Sequence, residues 1–320
     1  MKRPRHTLHI VSGKGGTGKT TLAAALAYAL ATEGRRVLLC EVEGRRSLTD
    51  LFGVELHGAA EPRLLRTPAG GHVHGLSIDA EDALLEYLRT FYRLGIAGRA
   101  LDKFGAIDFA TSIAPGLRDV LLTGKVYEAV RRQAKGRTDA YDAVVLDAPP
   151  TGRIGGFLNV HEAVSGLAKV GPIRDQADSI MRVLRSDDTV VHLTTLLEEM
   201  PVTETIEAIE ALAPTRITVG TVIANMVTDT PLDEDQLLAA AAERLPLDLP
   251  DLTQSERAGL GEEFATTARR EQQERTCSQR LASAGLPMVV VPRETLGVDL
   301  TTLGSIADTV AAQLPEEINA

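Results

Sequence analysis

A glycine-rich stretch near the start of the chain has the residue types and the spacing of a phosphate-binding loop. Residues 13–20 fit the P-loop pattern G-x-x-x-x-G-K-[ST]. Glycine lets successive backbone N–H groups point at a phosphate, because no side chain restricts the backbone. Lys19 is expected to reach the β- and γ-phosphates, and the Thr20 hydroxyl to bind Mg²⁺. The predicted nucleotide contacts in this segment are Gly13, Lys14, Gly15, Gly16, Thr17, Gly18, Lys19, Thr20 and Thr21.

The sequence around this loop has the order that the motif requires. Residues 8–11 predict a short buried strand, and residues 22–27 favour a helix. The positive end of a helix that follows the loop adds to the field on a bound phosphate. The alternative is a glycine-rich turn that matches by chance, and the flanking strand and helix argue against it.

A second candidate ligand for Mg²⁺ is Asp147. It ends the apolar run 143–147, which predicts a strand that delivers a carboxylate near the loop in a Walker-B arrangement. We expect Asp147 to bind Mg²⁺, either as a direct ligand or through a water molecule in the coordination shell. A capping or turn aspartate is the alternative. Residues 149–152, Pro-Pro-Thr-Gly, predict a loop that is stiff at its two prolines and flexible at its glycine. Such a loop suits a segment that changes conformation with the bound nucleotide.

Another acidic residue follows the next predicted strand. Residues 36–42 predict a second buried strand, which forms a right-handed βαβ unit with the first strand and helix. Ligands of an open parallel sheet lie outside the carboxyl ends of its strands. Glu43, which follows this strand, is therefore expected near the phosphates.

Composition narrows the class of protein. The chain has 320 residues, which suits one large α/β domain or two modest ones. The net charge of −10 argues against a bare nucleic-acid binder. Two distant cysteines, Cys40 and Cys277, suit a reduced cytosolic protein without a disulfide framework. No apolar run approaches the roughly 20 residues that cross a bilayer, so no integral membrane segment is expected.

The remaining apolar segments predict an α/β fold with a mostly parallel central sheet flanked by helices. One loop motif implies one nucleotide site, so residues 1–320 are predicted to form a single P-loop ATPase domain. A parallel crossover needs only about a dozen residues, so the longer stretches 80–140 and 155–187 are predicted to be helical subdomain insertions. The sheet is expected to have about seven or eight strands, the later ones at 73–78, 189–194, 218–224 and 287–291.

One long charged helix is predicted over residues 254–284. Glycine disfavours helix, so we expect this helix to be broken or bent near Gly259 and Gly261. Its Arg269 and Arg270 are interpreted as part of a solvated face.

Lys14 is a second lysine inside the glycine loop. The resulting K-G-G-T-G-K-T resembles the deviant Walker A loop of dimerising ATPases. The resemblance implies that Lys14 crosses a dimer interface to the phosphates bound by the partner. A solvated surface lysine is the alternative.

Several segments together resemble one branch, the arsenite-pump (ArsA) and tail-anchored-protein targeting ATPase family. The resemblance covers nearly the whole chain, and residues 41–45 and 113–116 look like the single-domain actinobacterial members. It implies a SIMIBI-type sheet, ATP hydrolysis and a nucleotide-gated dimer. The matching segments include 14–20, 43–50, 147–153, 197–205, 223–225 and 291–294.

The same resemblance implies roles for particular residues. Glu43 matches the switch I residue that orients the attacking water, although the targeting ATPases have aspartate followed by Pro-Ala-His. Asn225 matches the residue that binds the edge of adenine. Pro292 and Arg293 match the segment that lies against the adenine base. Glu198 matches a glutamate near the nucleotide, and a helix-start charge is its alternative. Catalytic roles are thus expected for Glu43, Lys14 and Lys19.

Metal and client features of the family are missing. No Cys-x-x-Cys pair is present, so no zinc is predicted. The three cysteines that bind metalloid in the arsenite pump are also missing, so arsenite activation is not expected. One helix face after residue 80 could meet an apolar client or the core, with the core favoured; its residues are Leu84, Leu85, Leu88, Phe91 and Leu94.

The expected function is a Mg²⁺-dependent ATPase that acts as a dimeric molecular switch, coupling nucleotide state to a client or membrane protein. The dimer is a homodimer or a heterodimer with a paralogous subunit, cytoplasmic or peripheral at the membrane. A second hypothesis is a nucleotide-stabilised hetero-oligomeric binding module with little turnover. A third is a division-site positioning ATPase, which the acidic tail 315–320 disfavours.

Overall fold

A sheet of eight strands forms the centre of the computed structural model. The model describes residues 6–42, 46–92, 115–134, 136–160, 172–242, 252–295, 297–315 and 318. The strands are β1 (Leu8–Gly13), β2 (Arg36–Val42), β3 (Arg63–Arg66), β4 (His72–Ile78), β5 (Ala143–Asp147), β6 (Thr189–Thr195), β7 (Val219–Val227) and β8 (Met288–Pro292).

The strand order is β3-β4-β2-β5-β1-β6-β7-β8, and every neighbouring pair except β3 with β4 is parallel. The predicted α/β fold with a mostly parallel sheet is therefore confirmed. The parallel strands are almost entirely buried, as expected where helices cover both faces of a sheet.

Helices cover the two faces of the sheet. The described helices are α1 (Lys19–Ala31), α2 (Ser47–Phe52), α3 (Ala80–Tyr92), α4 (Pro115–Ala134), α5 (Thr151–Leu158), α6 (Pro172–Leu184), α7 (Glu199–Leu212), α8 (Glu234–Ala241), α9 (Gln254–Ala282) and α10 (Leu300–Gln313). Residues of α1 and α10 share one apolar core with the sheet, while α4, α5 and α6 share the core on the other face. The sheet is thus the middle of three layers.

The helix α1 is buried on nearly all sides in the core beside the sheet. Ala23, Ala24, Ala25 and Ala27 are all buried, and so are its leucines. A helix that is apolar on all sides is a buried core helix. The loop that precedes α1 is therefore attached to a helix that belongs to the core.

One strand was missed, and two local predictions were wrong. The edge strand β3 was not predicted, because its sequence Arg-Leu-Leu-Arg is short and charged at both ends. The loop predicted over 149–152 ends early, because α5 begins at Thr151 and includes Gly152. The predicted break near Gly259 and Gly261 does not occur in α9, whose N-terminus has a Thr253–Glu256 capping box.

The stretches predicted as inserted subdomains are described only in part. Helices α4 and α6 contribute Leu122, Val126 and Ile180 to the same core as the strand residues Ile10 and Leu146. The division into a main domain with insertions stays a prediction, since residues 93–114 and 161–171 lie outside the described residues.

Of the apolar face predicted after residue 80, Leu84 is buried against the protein and Leu85 is partly buried. The side chains of Leu88, Phe91 and Leu94 lie outside the described ones. Within the described ranges, no helix has both the length and the apolarity that a bilayer crossing requires.

Cys40 behaves as the small core residue that its strand predicts. It is fully buried in β2, and burial raises the pKa of its thiol well above the usual value. The thiol is therefore neutral and unreactive at neutral pH.

Two histidines lie fully buried in the middle of the sheet. His9 on β1 and His192 on β6 stack with ring centroids 5.5 Å apart, and His192 Nδ1 lies 2.6 Å from the Thr221 hydroxyl. Burial, and then repulsion from His192, lowers the pKa of His9 well below its usual value. Burial lowers the pKa of His192 to about 3. Both rings are therefore neutral in the folded protein at neutral pH.

Acid should destabilise the fold through these histidines. Their folded-state pKa lies below that of an unfolded histidine, near 6.5, so stability is lost as the pH falls below about 6.5. For His192 alone, lowering the pH from about 7.5 to about 5 should cost about 2 kcal/mol of unfolding free energy. Urea unfolding of the wild type and of His192→Gln at both pH values measures this. An equal pH dependence in the two proteins would contradict it.

Candidate functional site

The glycine loop joins the end of β1 to the start of α1. Gly16 and Gly18 have φ angles of 87° and 82°, in the left-handed region that favours glycine. An added Cβ at Gly15 or Gly16 would have nothing within 4 Å. The outer side of the loop is therefore open at Gly15 and Gly16.

Two hydrogen bonds within the loop converge on one of its backbone carbonyls. The Thr17 hydroxyl donates to the Lys14 carbonyl across 2.8 Å, and Lys19 Nζ donates to the same oxygen across 3.1 Å. The Thr17 hydroxyl also lies 2.8 Å from the Thr194 hydroxyl of β6. Lys19 is buried, and Thr20 and Thr21 follow it in the first turn of α1, partly buried.

Thr20 and Asp147 meet beside the loop. The Thr20 hydroxyl donates a hydrogen bond to Asp147 Oδ2 across 2.6 Å, and Asp147 is only 1% exposed. Asp147 ends β5, where it is the Cα partner of Val11 on β1. Hydroxyl and carboxylate oxygens are the ligands that Mg²⁺ prefers. The two residues therefore fit a magnesium site at the carboxyl edge of the sheet.

Lys14 contacts its own chain. Its Nζ lies 2.6 Å from Glu204 Oε1 on α7, and each side chain is 32% exposed. The sequence pattern does not indicate this partner, because the two residues are far apart along the chain and only the fold brings them together. The ion pair holds the second lysine of the loop against α7 in the single chain.

The residues expected to contact the adenine base lie further along the carboxyl edge of the sheet. Asn225 on β7 is buried, and its Nδ2 donates to the Thr17 carbonyl across 3.0 Å. Arg293 follows Pro292, the exposed last residue of β8, and donates its N–H to the Val227 carbonyl. Glu198 occupies the N-cap position of α7 without a side-chain capping bond.

Glu198 and Arg293 line one cavity of about 640 Å³ at this edge. The opposite wall comes from α9, including Arg269 and Arg270, which were predicted only to be solvated. Both arginines are exposed, yet they face the same cavity as Glu198. The cavity therefore combines three arginines with carboxylates, a surrounding that can bind the polar and planar parts of a nucleoside.

Glu43 lies outside the described residues, so its position beside the loop stays a prediction. The segment that contains it runs from the end of β2 at Val42 to the start of α2 at Ser47. Arg46, just before α2, has a φ of 57° and lies 3.0 Å from Glu55.

The strand, glycine loop and helix, with an aspartate from a neighbouring strand, define a nucleotide-binding α/β protein of the P-loop class. Residues 6–186 match the family model described as anion-transporting ATPase. The chain belongs to this family, and this confirms the resemblance found in the sequence.

Named relatives agree with this assignment. The chain is 46% identical to ATPase BagA of Mycobacterium tuberculosis over 318 residues, covering 96% of this chain and 93% of that protein. It is 28% identical to ATPase GET3 of Kluyveromyces lactis over 52% of this chain and 51% of that protein. It is 26% identical to ATPase ARSA1 of Chlamydomonas reinhardtii over 74% of this chain and 34% of that protein. Family membership supports ATPase function for this chain.

The close contact at Gly13 generates a prediction. A methyl group there would run into the backbone carbonyl of Thr194 and lie 2.9 Å from the Thr17 hydroxyl. We expect Gly13→Ala to lower the free energy of unfolding by about 1–3 kcal/mol. Gly15→Ala, where the added atom meets nothing within 4 Å, should change it by less than about 0.5 kcal/mol. Urea unfolding measures both, and equal losses would contradict the geometry.

Proposed function

We propose that this chain is a Mg²⁺-dependent ATPase and a dimeric switch, which couples its nucleotide state to the binding of a client or membrane protein. The observation that carries the proposal is the Thr20–Asp147 contact beside the open glycine loop. It pairs a phosphate cradle with an oxygen-ligand site for a divalent cation, as hydrolysis of a nucleoside triphosphate requires.

Each residue of the site has a proposed task in hydrolysis. Backbone N–H groups of the glycine loop bind the phosphates, and Lys19 moves from the Lys14 carbonyl to the β- and γ-phosphates. Mg²⁺ held by Thr20 and Asp147 would neutralise charge that builds up on the phosphates. Glu43 orients a water molecule, whose oxygen bonds to the γ-phosphorus as the bond to the β–γ bridging oxygen breaks.

The nucleoside is proposed to lie beyond the loop, towards β7 and β8. Asn225 contacts the edge of adenine, and Pro292 and Arg293 lie against the base. The cavity between α7 and α9 supports this direction, because Glu198 and Arg293 share its wall. A carboxylate such as Glu198 can accept hydrogen bonds from ribose hydroxyls.

Lys14 is proposed to complete the site of a second subunit. It is held by Glu204 in the single chain, with one third of its side chain exposed. A surface ion pair of this kind contributes only about 0.2–1 kcal/mol, so a phosphate of the partner can replace Glu204 as the anion. Lysine then takes the role that an arginine finger has in other nucleotide hydrolases.

The dimer is a homodimer or a heterodimer with a paralogous subunit, and its place in the cell is the cytoplasm or the membrane periphery. No zinc is proposed, and no nucleic acid. The second hypothesis, a binding module with little turnover, stays open because glutamate replaces the aspartate of the targeting ATPases at position 43. Steady-state phosphate release, alone and with a candidate partner, separates the two hypotheses.

Changing either lysine of the loop to alanine should abolish turnover, by different routes. Lys19→Ala should lose ATP affinity, because the charge that binds the β- and γ-phosphates is removed. Lys14→Ala should still bind ATP but lose turnover by about 100-fold or more, the scale on which a single charge stabilises the transition state. ATP binding, phosphate release and sedimentation with a non-hydrolysable ATP analogue distinguish the two routes.

A third lysine provides the control for this pair. Lys125 lies away from the loop and contacts Glu86 and Glu128, so Lys125→Ala should leave turnover unchanged. Near-normal turnover in Lys14→Ala would remove the dimer-completing role.

Releasing Lys14 should make dimerisation easier. Glu204→Gln removes the anion that holds Lys14, so the ATP-bound dimer should form at up to about fivefold lower protein concentration. Glu207→Gln, an exposed change on the same helix, is the matched control. Analytical ultracentrifugation with the ATP analogue measures this. A weaker dimer in Glu204→Gln would instead mean that Glu204 orients Lys14 for the partner.

A further inference from the structure

A buried carboxylate on β2 has no task in the mechanism above. Glu41 lies near the end of the strand and is only 1% exposed. Moving a carboxylate out of water costs several kcal/mol unless protein partners replace the water. The flanking strand residues Cys40 and Val42 are apolar and buried, so a carboxylate here is an exception that needs a cause.

The register of the sheet places Glu41 beside the proposed magnesium site. Glu41 is the Cα partner of Asp147 across β2 and β5. Two residues earlier on these strands, Leu39 and Val145 belong to the core that includes α1. Side chains alternate along a strand, so Glu41 and Asp147 face the same α1 side. On that side Thr20 donates its hydrogen bond to Asp147.

One carboxylate oxygen of Glu41 fixes the start of α2. The Leu48 N–H donates to Glu41 Oε2 across 3.1 Å, and Leu48 is fully buried in the first turn of α2. N–H groups in the first turn of a helix lack a partner within the helix. Glu41 therefore joins the end of β2 to the start of α2. These are the two ends of the segment that contains Glu43.

The other carboxylate oxygen of Glu41 is buried and has no hydrogen-bond partner in the part of the chain that the structure describes. Buried polar atoms nearly always have a partner, and ordered water commonly supplies it. The unpartnered oxygen therefore points to a water molecule next to Glu41, on the side of the sheet where Thr20 and Asp147 meet.

We propose that Glu41 is a positioning residue for ATP hydrolysis. Its Oε2 holds the start of α2 against the end of β2. Its Oε1 accepts a hydrogen bond from a water molecule at the Thr20–Asp147 site. This inference rests on the proposed function, because it assigns Glu41 to the magnesium side of that site.

The variant Glu41→Gln separates the two tasks. The amide keeps one oxygen for the Leu48 N–H, but its NH₂ group cannot accept a hydrogen bond from water. We expect an unchanged melting temperature and an unchanged ATP affinity without Mg²⁺. The Mg²⁺ concentration needed for tight ATP binding should rise about tenfold, and kcat should fall about tenfold or more with little change in KM. A fluorescent ATP analogue titrated with Mg²⁺ measures binding apart from turnover.

A second variant tests the anchoring of α2. Glu41→Ala removes both oxygens, so the Leu48 amide should exchange its hydrogen faster than in the wild type, whereas Glu41→Gln should preserve slow exchange. The control is Glu55→Gln, an exposed glutamate after α2 that contacts Arg46. It should change neither the Mg²⁺ requirement nor the exchange at Leu48.

The outcomes separate this inference from the function on which it rests. If the wild type hydrolyses ATP and Glu41→Gln matches it in Mg²⁺ requirement and kcat, the role of Glu41 is wrong and the proposed function stands. If the wild type shows no Mg²⁺-dependent turnover, alone or with a partner, both fail. If Glu41→Ala does not fold, the comparison of Glu41→Gln with Glu55→Gln still decides.

Discussion

The hydrogen bond between Thr20 and Asp147 joins the two elements on which the site depends. Thr20 belongs to α1 and Asp147 ends β5, so the contact fixes the helix that follows the glycine loop against the centre of the sheet. Residues of α1 share one apolar core with strand residues such as Val11 and Val145, so this core supports both partners of the contact.

The rest of the site extends from this contact in two directions. Towards β2 lies Glu41, which binds the start of α2 and which we propose to position water at the magnesium site. Towards β7 and β8 lie Asn225 and the arginine-lined cavity, which we assign to the nucleoside. Parallel strands bring all of these residues to one edge because their carboxyl ends point the same way.

Sequence alone predicted the parallel strands, since each is a short apolar run between turn signals, and it predicted the loop from the spacing of its glycines and lysine. It missed β3, whose four residues carry too little pattern, and the early start of α5, because Pro149 and Pro150 look like a loop. The Lys14–Glu204 pair and the burial of Glu41 depend on long-range register, which local patterns do not contain.

The place of β1 in the sheet has a consequence for how the chain is made. Both neighbours of β1 come from much later in the sequence, β5 at Ala143–Asp147 and β6 at Thr189–Thr195. A ribosome therefore releases the glycine loop long before the strands that will flank it exist. During that interval the apolar residues of β1 and α1 are exposed to solvent. Such delayed strand pairing favours aggregation. The sheet around the glycine loop can therefore close only after residues 143–195 have been synthesised.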